Sequence, residues 1–144
     1  MLVSQILKSK TDDGVVTVPP STTVAAAASV LSARRIGALV VSTDGRTLAG
    51  IVSERDIVRE LGRRGVGCLT ETVGEIMTTN VVTCTRQDRA DDMLQLMTDG
   101  RFRHLPVVNG TEMVGLISIG DVVKARLSEL SMEKDALECM IKGF

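Results

Sequence analysis

The apolar and polar positions of the 144-residue chain follow one order twice. A short β-branched run, Val15 to Val18, leads into a polar cap region with Thr22. Val24, Ala27, Ala28 and Leu31 then recur at i, i+3, i+4 and i+7, which predicts an amphipathic helix. A second apolar run, GALVV, passes through a turn carrying Asp44-Gly45 into a third, LAGIV, as hairpin chemistry requires. Ser53 ends that strand and opens another helix. The second half repeats the order: Val81 to Cys84, a cap region with Asp88, a helix with Ala90, Met93, Leu94 and Met97, then HLPVV, a turn at Asn109-Gly110, MVGLI and Ser118.

The two copies overlay at a shift of about 66 residues, with a one-residue gap in the turn before each glycine. Each unit reads β-α-β-β-α. The predicted division is residues 1–64 for the first repeat with its N-terminal segment, 65–80 for a connector, 81–128 for the second repeat and 129–144 for a C-terminal helical extension. The fold class is α/β (α+β). The sharpest shared feature is GIVSERDIV, Gly50 to Val58, against GLISIGDVV, Gly115 to Val123. Ser followed three residues later by an acid at the border of an apolar run is a capping box, sufficient to explain one copy.

Composition narrows the function classes. With 17 basic and 18 acidic residues the net charge is −1, which favours neither nucleic acid nor an anionic membrane surface; Arg34-Arg35 and Arg63-Arg64 are short clusters of solvated character. No apolar run suits a membrane span, and the opening MLVSQILKSK lacks the layout of a signal peptide, so the default setting is cytoplasmic. Cys68, Cys84 and Cys139 have neither disulfide nor zinc-knuckle spacing and read as reduced, ordinary thiols. His104 is the only histidine, so no multi-histidine metal site is expected within one chain. With no nucleophile–base pair in familiar spacing, no phosphate-binding G-x-x-x-x-G-K-[ST] loop and no G-x-G-x-x-G, an enzyme is not expected.

The doubled G-h-h-S-x-x-D motif (h apolar), with FRHLPVV and IMTTNVVTC, resembles the tandem CBS-domain pair, or Bateman module, of the stand-alone bacterial type, from about Val3 to Arg126. The resemblance implies two repeats packed about a pseudo-twofold axis with two clefts between them, where adenine nucleotides bind, and a regulatory role. It places Asp56 and Asp121 as ribose clamps, since one carboxylate can accept from both ribose hydroxyls. Ser53 and Ser118 would add hydroxyls beside helix N-termini that receive phosphate. The capping and ligand roles are compatible.

Arg103 and His104 sit where such proteins often place phosphate-facing basic residues; a hydrogen-bonded strand-end histidine is the alternative for His104. Their counterparts are Gly37 and Ala38, while the first motif has Arg55 where the second has Gly120, so the clefts are expected to be unequal. By the resemblance Val16, Ile36 and Ala38 line the cleft of Asp121, and Thr78, Val82 and Phe102 that of Asp56; core packing is the competing role for the apolar ones. Lys8 and Lys10 either reach a phosphate or stay solvated. Met93 and Met97 read as core filling.

The last helix is predicted from about Gly120 to Lys142, roughly 33 Å at 1.5 Å per residue. Val123, Leu127, Leu130, Leu137 and Ile141 fit a heptad seam interrupted by Lys134. It covers either the chain's own N-terminal segment or a partner, and the expectation is a homodimer to which the tail contributes. The leading function is a sensor in signal transduction that binds AMP, ADP, ATP or NAD(H) and signals to an unidentified regulated protein, with no catalytic cofactor or metal and no nucleic-acid or membrane partner. Arg103 and Arg55 disfavour the cationic S-adenosylmethionine. The alternative is a structural interaction homodimer whose motifs only cap helices.

Overall fold

The computed structural model describes residues 1–10 and 14–143. Along the chain run α1 (Val3–Ser9), β1 (Thr17–Val18), α2 (Val24–Arg34), β2 (Ala38–Val41), β3 (Gly50–Ser53), α3 (Glu54–Arg64), a 3₁₀ turn (Val66–Thr70), α4 (Val73–Ile76), α5 (Ala90–Gly100), β4 (His104–Asn109), β5 (Glu112–Ser118) and α6 (Ile119–Lys142). These group into two compact units. One comprises Gly14–Val82 with Asn109–Val114; the other comprises Met1–Asp13, Thr83–Val108 and Gly115–Phe144.

In the first of these units the sheet order is β1-β2-β3. β1 runs parallel to β2, with α2 as the crossover that parallel neighbours need, and pairs Thr17 with Val40. β2 and β3 are antiparallel, with Ala38 opposite Ser53 and Val41 opposite Gly50. The hairpin between them is tied by Asp44. Its carboxylate accepts the N–H groups of Thr47 (2.7 Å) and Arg46 (2.8 Å) and the hydroxyls of Thr47 and Ser42. Those donors hold the Asp44 carboxyl well below the usual carboxylate range.

α2 begins one residue later than Thr22 suggested: Thr23 is its cap, and its Oγ1 accepts from the Ala26 N–H at 3.1 Å. The periodic positions Val24, Ala27 and Leu31 enter the core with Leu39, Val41 and Val52. Val73 and Ile76 of the segment expected to be a connector join that core. The connector is therefore wall and not linker: the Val73 N–H donates to the Thr22 carbonyl at 2.8 Å, and Thr78 exchanges both backbone hydrogen bonds with Ile51.

The other unit carries the β4-β5 hairpin with α5, α6 and α1. The strand expected at Val81 to Cys84 shrinks to one parallel bridge between Cys84 and Val107. The reason is Pro106. Its counterpart Val40 donates its N–H to the Val16 carbonyl at 3.2 Å, whereas a proline has no N–H to extend the ladder. Asp88 does not cap α5 either; it takes the Thr85 N–H at 2.7 Å, and Arg89 occupies the cap position without a side-chain bond. Met93 and Met97 are buried, as core filling requires. Cys84 is less ordinary than expected, because burial, aided by the Asp88 charge, pushes its thiol up to about 12. α1 buries Val3 and Ile6 and packs against α6, while its preceding residues bridge to Arg89.

α6 has 24 residues and begins at Ile119, one residue before the expected start. From Ser131 to Gly143 every residue is exposed.

The motif glycines now have a steric cause. A Cβ on Gly50 would stand 2.6 Å from Met77 Sδ and 2.8 Å from the Thr78 carbonyl oxygen, and one on Gly115 would stand 2.7 Å from a Leu7 methyl. In each unit the segment that precedes the opposite repeat crosses the motif strand at its glycine. Gly50→Ala is expected to cost about 1–3 kcal/mol and Gly115→Ala less, because a leucine methyl can rotate aside and a carbonyl cannot. Urea denaturation of the two variants checks the order.

Candidate functional site

Both Ser-x-x-Asp copies fold as complete capping boxes. At Ser53, Oγ accepts the Asp56 N–H at 3.2 Å, and Asp56 Oδ2 receives the Ser53 N–H at 2.9 Å and the Ser53 hydroxyl at 3.1 Å. At Ser118, Oγ accepts the Asp121 N–H at 3.1 Å, and Asp121 Oδ2 receives the Ser118 N–H at 2.9 Å. A strand residue with extended backbone thus hands the chain to a helix while its side chain and the acid satisfy each other's amides.

A further bond recurs. The first N–H of α3, Glu54, donates to the Gly37 carbonyl at 2.9 Å, and the first N–H of α6, Ile119, donates to the Arg103 carbonyl at 2.8 Å. Gly37 and Arg103 are thereby fixed beside the motifs through their main chains. The Arg55 and Gly120 N–H groups are then the first-turn donors with no protein acceptor among the described residues, at the positive end of each helix dipole.

The two carboxylates differ in their cation partner. Asp56 Oδ1 pairs with Arg59 at 2.9 Å within α3, both oxygens are engaged, and the side chain is 10 % exposed. Asp121 pairs with Lys10, 2.9 Å from the same Oδ2 that takes the Ser118 N–H; its side chain is 26 % exposed. The Lys10 ammonium also donates to the Leu116 carbonyl at 2.8 Å. A solvated Lys10 was expected, and the structure instead docks it. Burial works to raise the Asp121 pKa, but the Ser118 amide and the Lys10 ammonium together outweigh it and leave the carboxyl below its usual value.

The other expected site residues are placed as follows. Ala38 is buried in β2; Val16 and Ile36 are half-buried; Thr78 and Val82 are exposed; Arg103 is exposed and His104, half-buried, opens β4. Phe102 is half-buried, with its ring over the spot where a Cβ of Gly100 would stand. Thr78 and Val82 belong to the unit of Asp56, and Arg103 and His104 to that of Asp121, whereas Val16, Ile36 and Ala38 do not share a unit with Asp121, nor Phe102 with Asp56. Ile36 and Gly37 line a groove of about 510 Å³ with Ala28, Leu31, Arg35 and Glu54, and neither Ser53 nor Asp56 is part of its lining. Sequence reasoning passed over Arg59, although i+3 spacing from Asp56 was a usable signal.

The family comparison is direct: residues 3–63 and 73–128 each match the CBS domain. The chain belongs to the CBS domain family. Among CBS relatives, the mitochondrial CBS domain-containing protein CBSX3 of Arabidopsis thaliana is 36% identical over 148 aligned residues, covering 98% of this chain and 72% of that protein. A CBS-domain-containing protein of Agrobacterium tumefaciens is 44% identical, with a TM-score of 0.82 over 88% of this chain and 99% of the other. A CBS domain protein of Pyrobaculum aerophilum, solved in complex with AMP, is 28% identical, with a TM-score of 0.77 over 92% and 99% of the two chains. Other plant CBS relatives are longer, and the chain spans about a quarter of them. No helix among the described residues is long and apolar enough to cross a membrane, and no described cluster of three or more His, Cys, Asp or Glu could hold a metal ion.

Ser118→Ala removes the cap of α6 and is expected to lower stability by about 0.5–2 kcal/mol, measured by thermal or urea unfolding. Because the folded pKa of Asp121 is depressed, its contribution is full above the unfolded carboxylate value of about 3.9 and is lost as pH falls through the folded value. Lys10→Met is expected to move that midpoint upward, read from the Asp121 carboxyl carbon in an NMR titration.

Proposed function

We propose that the chain is a regulatory module that binds an adenine nucleotide at its Ser-x-x-Asp junctions and passes the bound state to a partner protein. The observation that carries this reading is the junction itself: a carboxylate able to accept ribose hydroxyls, a serine, and an uncommitted helix N-terminal N–H stand together, once at Asp121 with Gly120 and again at Asp56 with Arg55. The AMP complex of the Pyrobaculum aerophilum relative supports the adenine class, as does an AMP complex of CBSX2, 28% identical. AMP is the first ligand to try; ADP, ATP and NAD(H) share its adenosine half. Arg103, His104 and Arg55 are the side chains proposed for phosphate, and Val16, Ile36, Ala38, Thr78, Val82 and Phe102 for the base.

A ligand shifts a conformational equilibrium only through unequal affinity for its states. For the output surface we propose α6, whose Leu127, Leu130, Leu137 and Ile141 remain exposed at heptad spacing and suit a second copy of the chain. A competing reading, an interaction protein without a nucleotide, draws on the fact that both boxes already serve as caps.

Asp121→Ala decides between them. It is expected to abolish the melting shift given by AMP, about 2.7 kcal/mol of stabilisation at 100 times the dissociation constant, while the variant still unfolds cooperatively. A wild-type protein, verified free of carried-over ligand, that responds to no adenine compound would favour the interaction protein. For α6, the double variant Leu130→Glu with Leu137→Glu is expected to halve the molar mass seen by light scattering; an unchanged mass would exclude this helix as the dimer contact.

A further inference from the structure

α6 buries Val122 and Ala125 in its own unit and leaves Val123, Leu127, Leu130, Leu137 and Ile141 exposed on the neighbouring face. At heptad spacing these five form one line along the helix, with Lys134 filling the gap between Leu130 and Leu137. Charge is spread unevenly beside that line. Lys124, Ser131 and Glu138 follow one edge, and Arg126, Glu133 and Met140 follow the other. All of these except Arg126 are exposed, so each edge can meet a neighbour.

We propose that two copies of the chain pair through α6 in antiparallel orientation, centred on Met132. This rests on the reading of α6 as the dimer contact and adds its direction and register. In a parallel pair each seam position faces itself, so Lys134 meets the partner's Lys134 inside the apolar line, and Glu133 meets the partner's Glu138 on the facing edge. Both contacts set like charge on like charge, and Lys124 faces only the partner's Ile119. About a twofold axis at Met132 the contacts are instead reciprocal: Val123 faces the partner's Ile141, Leu127 the partner's Leu137, and Leu130 the partner's Lys134. The Lys134 methylenes then lie on a leucine while the ammonium reaches out of the seam, toward Glu138 of its own helix at 4.0 Å. On one edge Lys124 faces the partner's Glu138, a pair that the axis repeats. On the other edge Glu133 meets the partner's Glu133, the single like-charge contact of this register, with a Lys134 next to each. The first turn of each α6, which carries Asp121, comes level with the last turn of the other.

The experiment is pulsed dipolar EPR on the full chain. Cys139 is exposed whereas Cys68 and Cys84 are buried, so the wild type takes one spin label, at position 139. The double variant Met132→Cys with Cys139→Ser carries it two turns earlier on the same outer line of the helix. The antiparallel register separates the two labels by about 21 Å along the axis at position 139 and by nothing at position 132, so the distance at 139 is expected to be clearly the longer. Equal distances would overturn the orientation. In unlabelled protein Glu138→Lys is expected to weaken dimerisation by about threefold to tenfold, and adding Lys124→Glu to restore it. A dimer that is unchanged or tighter in Glu138→Lys would overturn the register, since a parallel pair gains when Glu133 is relieved. A monomeric wild type, or a molar mass unchanged in Leu130→Glu with Leu137→Glu, would overturn the dimer contact itself; loss of the dimer in that variant together with equal label distances would overturn the orientation alone.

Discussion

At Ser53 and again at Ser118 the chain leaves a strand and must start a helix within one residue, with the helix amides otherwise unsatisfied. A serine hydroxyl and a carboxylate three residues on resolve this by bonding to each other's main chain. The rest of the architecture depends on these junctions. They fix where β3 and β5 end, which residues face outward in the first turn of α3 and α6, and which carbonyls, Gly37 and Arg103, are drawn alongside. Because the junction consumes some first-turn donors and leaves others, it defines a polar spot of fixed composition.

What surrounds each junction is supplied by chain from far away. Gly50 and Gly115 lack a side chain because a preceding segment lies across them, Met77 and Thr78 in one unit and Leu7 in the other. Each segment that leads into a repeat is therefore structural material for the other repeat's motif strand. The consequence for chemistry is unequal carboxylates. Asp56 has its own helix's arginine, and Asp121 has a lysine delivered by the exchanged N-terminal segment. Duplication created two similar boxes, and exchange made them different.

Periodicity revealed most of the elements, because hydrophobic spacing answers directly to which face is buried: α2 and α5 begin at the apolar positions Val24 and Ala90 and contain the i+3 and i+7 residues as core. The failures are local. Val81 to Cys84 has the composition of a strand, yet it pairs at Cys84 alone, since a strand exists only where its partner has amides to offer and Pro106 has none. Thr22 and Thr23 are both good caps, and the choice of Thr23 follows from Thr22 lending its carbonyl to Val73. The connector was bounded only by the repeats on either side of it, and Val73 and Ile76 within it need a single turn to reach the core.

The sequence by itself determined the repeat, the α-β-β-α order common to both units, the capping boxes and the family, because each is written in residues that are neighbours along the chain or recur at a fixed offset. Hydrogen bonds spanning three residues and helical faces spanning seven are properties of local geometry. Only the tertiary structure decided which cation serves which carboxylate. The pairing of Lys10 with Asp121 joins residues 111 positions apart, and no spacing rule connects them. A lysine before the first strand reads as solvated until the packing of α1 against α6 brings its ammonium to the acid, where their charge-assisted hydrogen bond offsets the cost of partial desolvation.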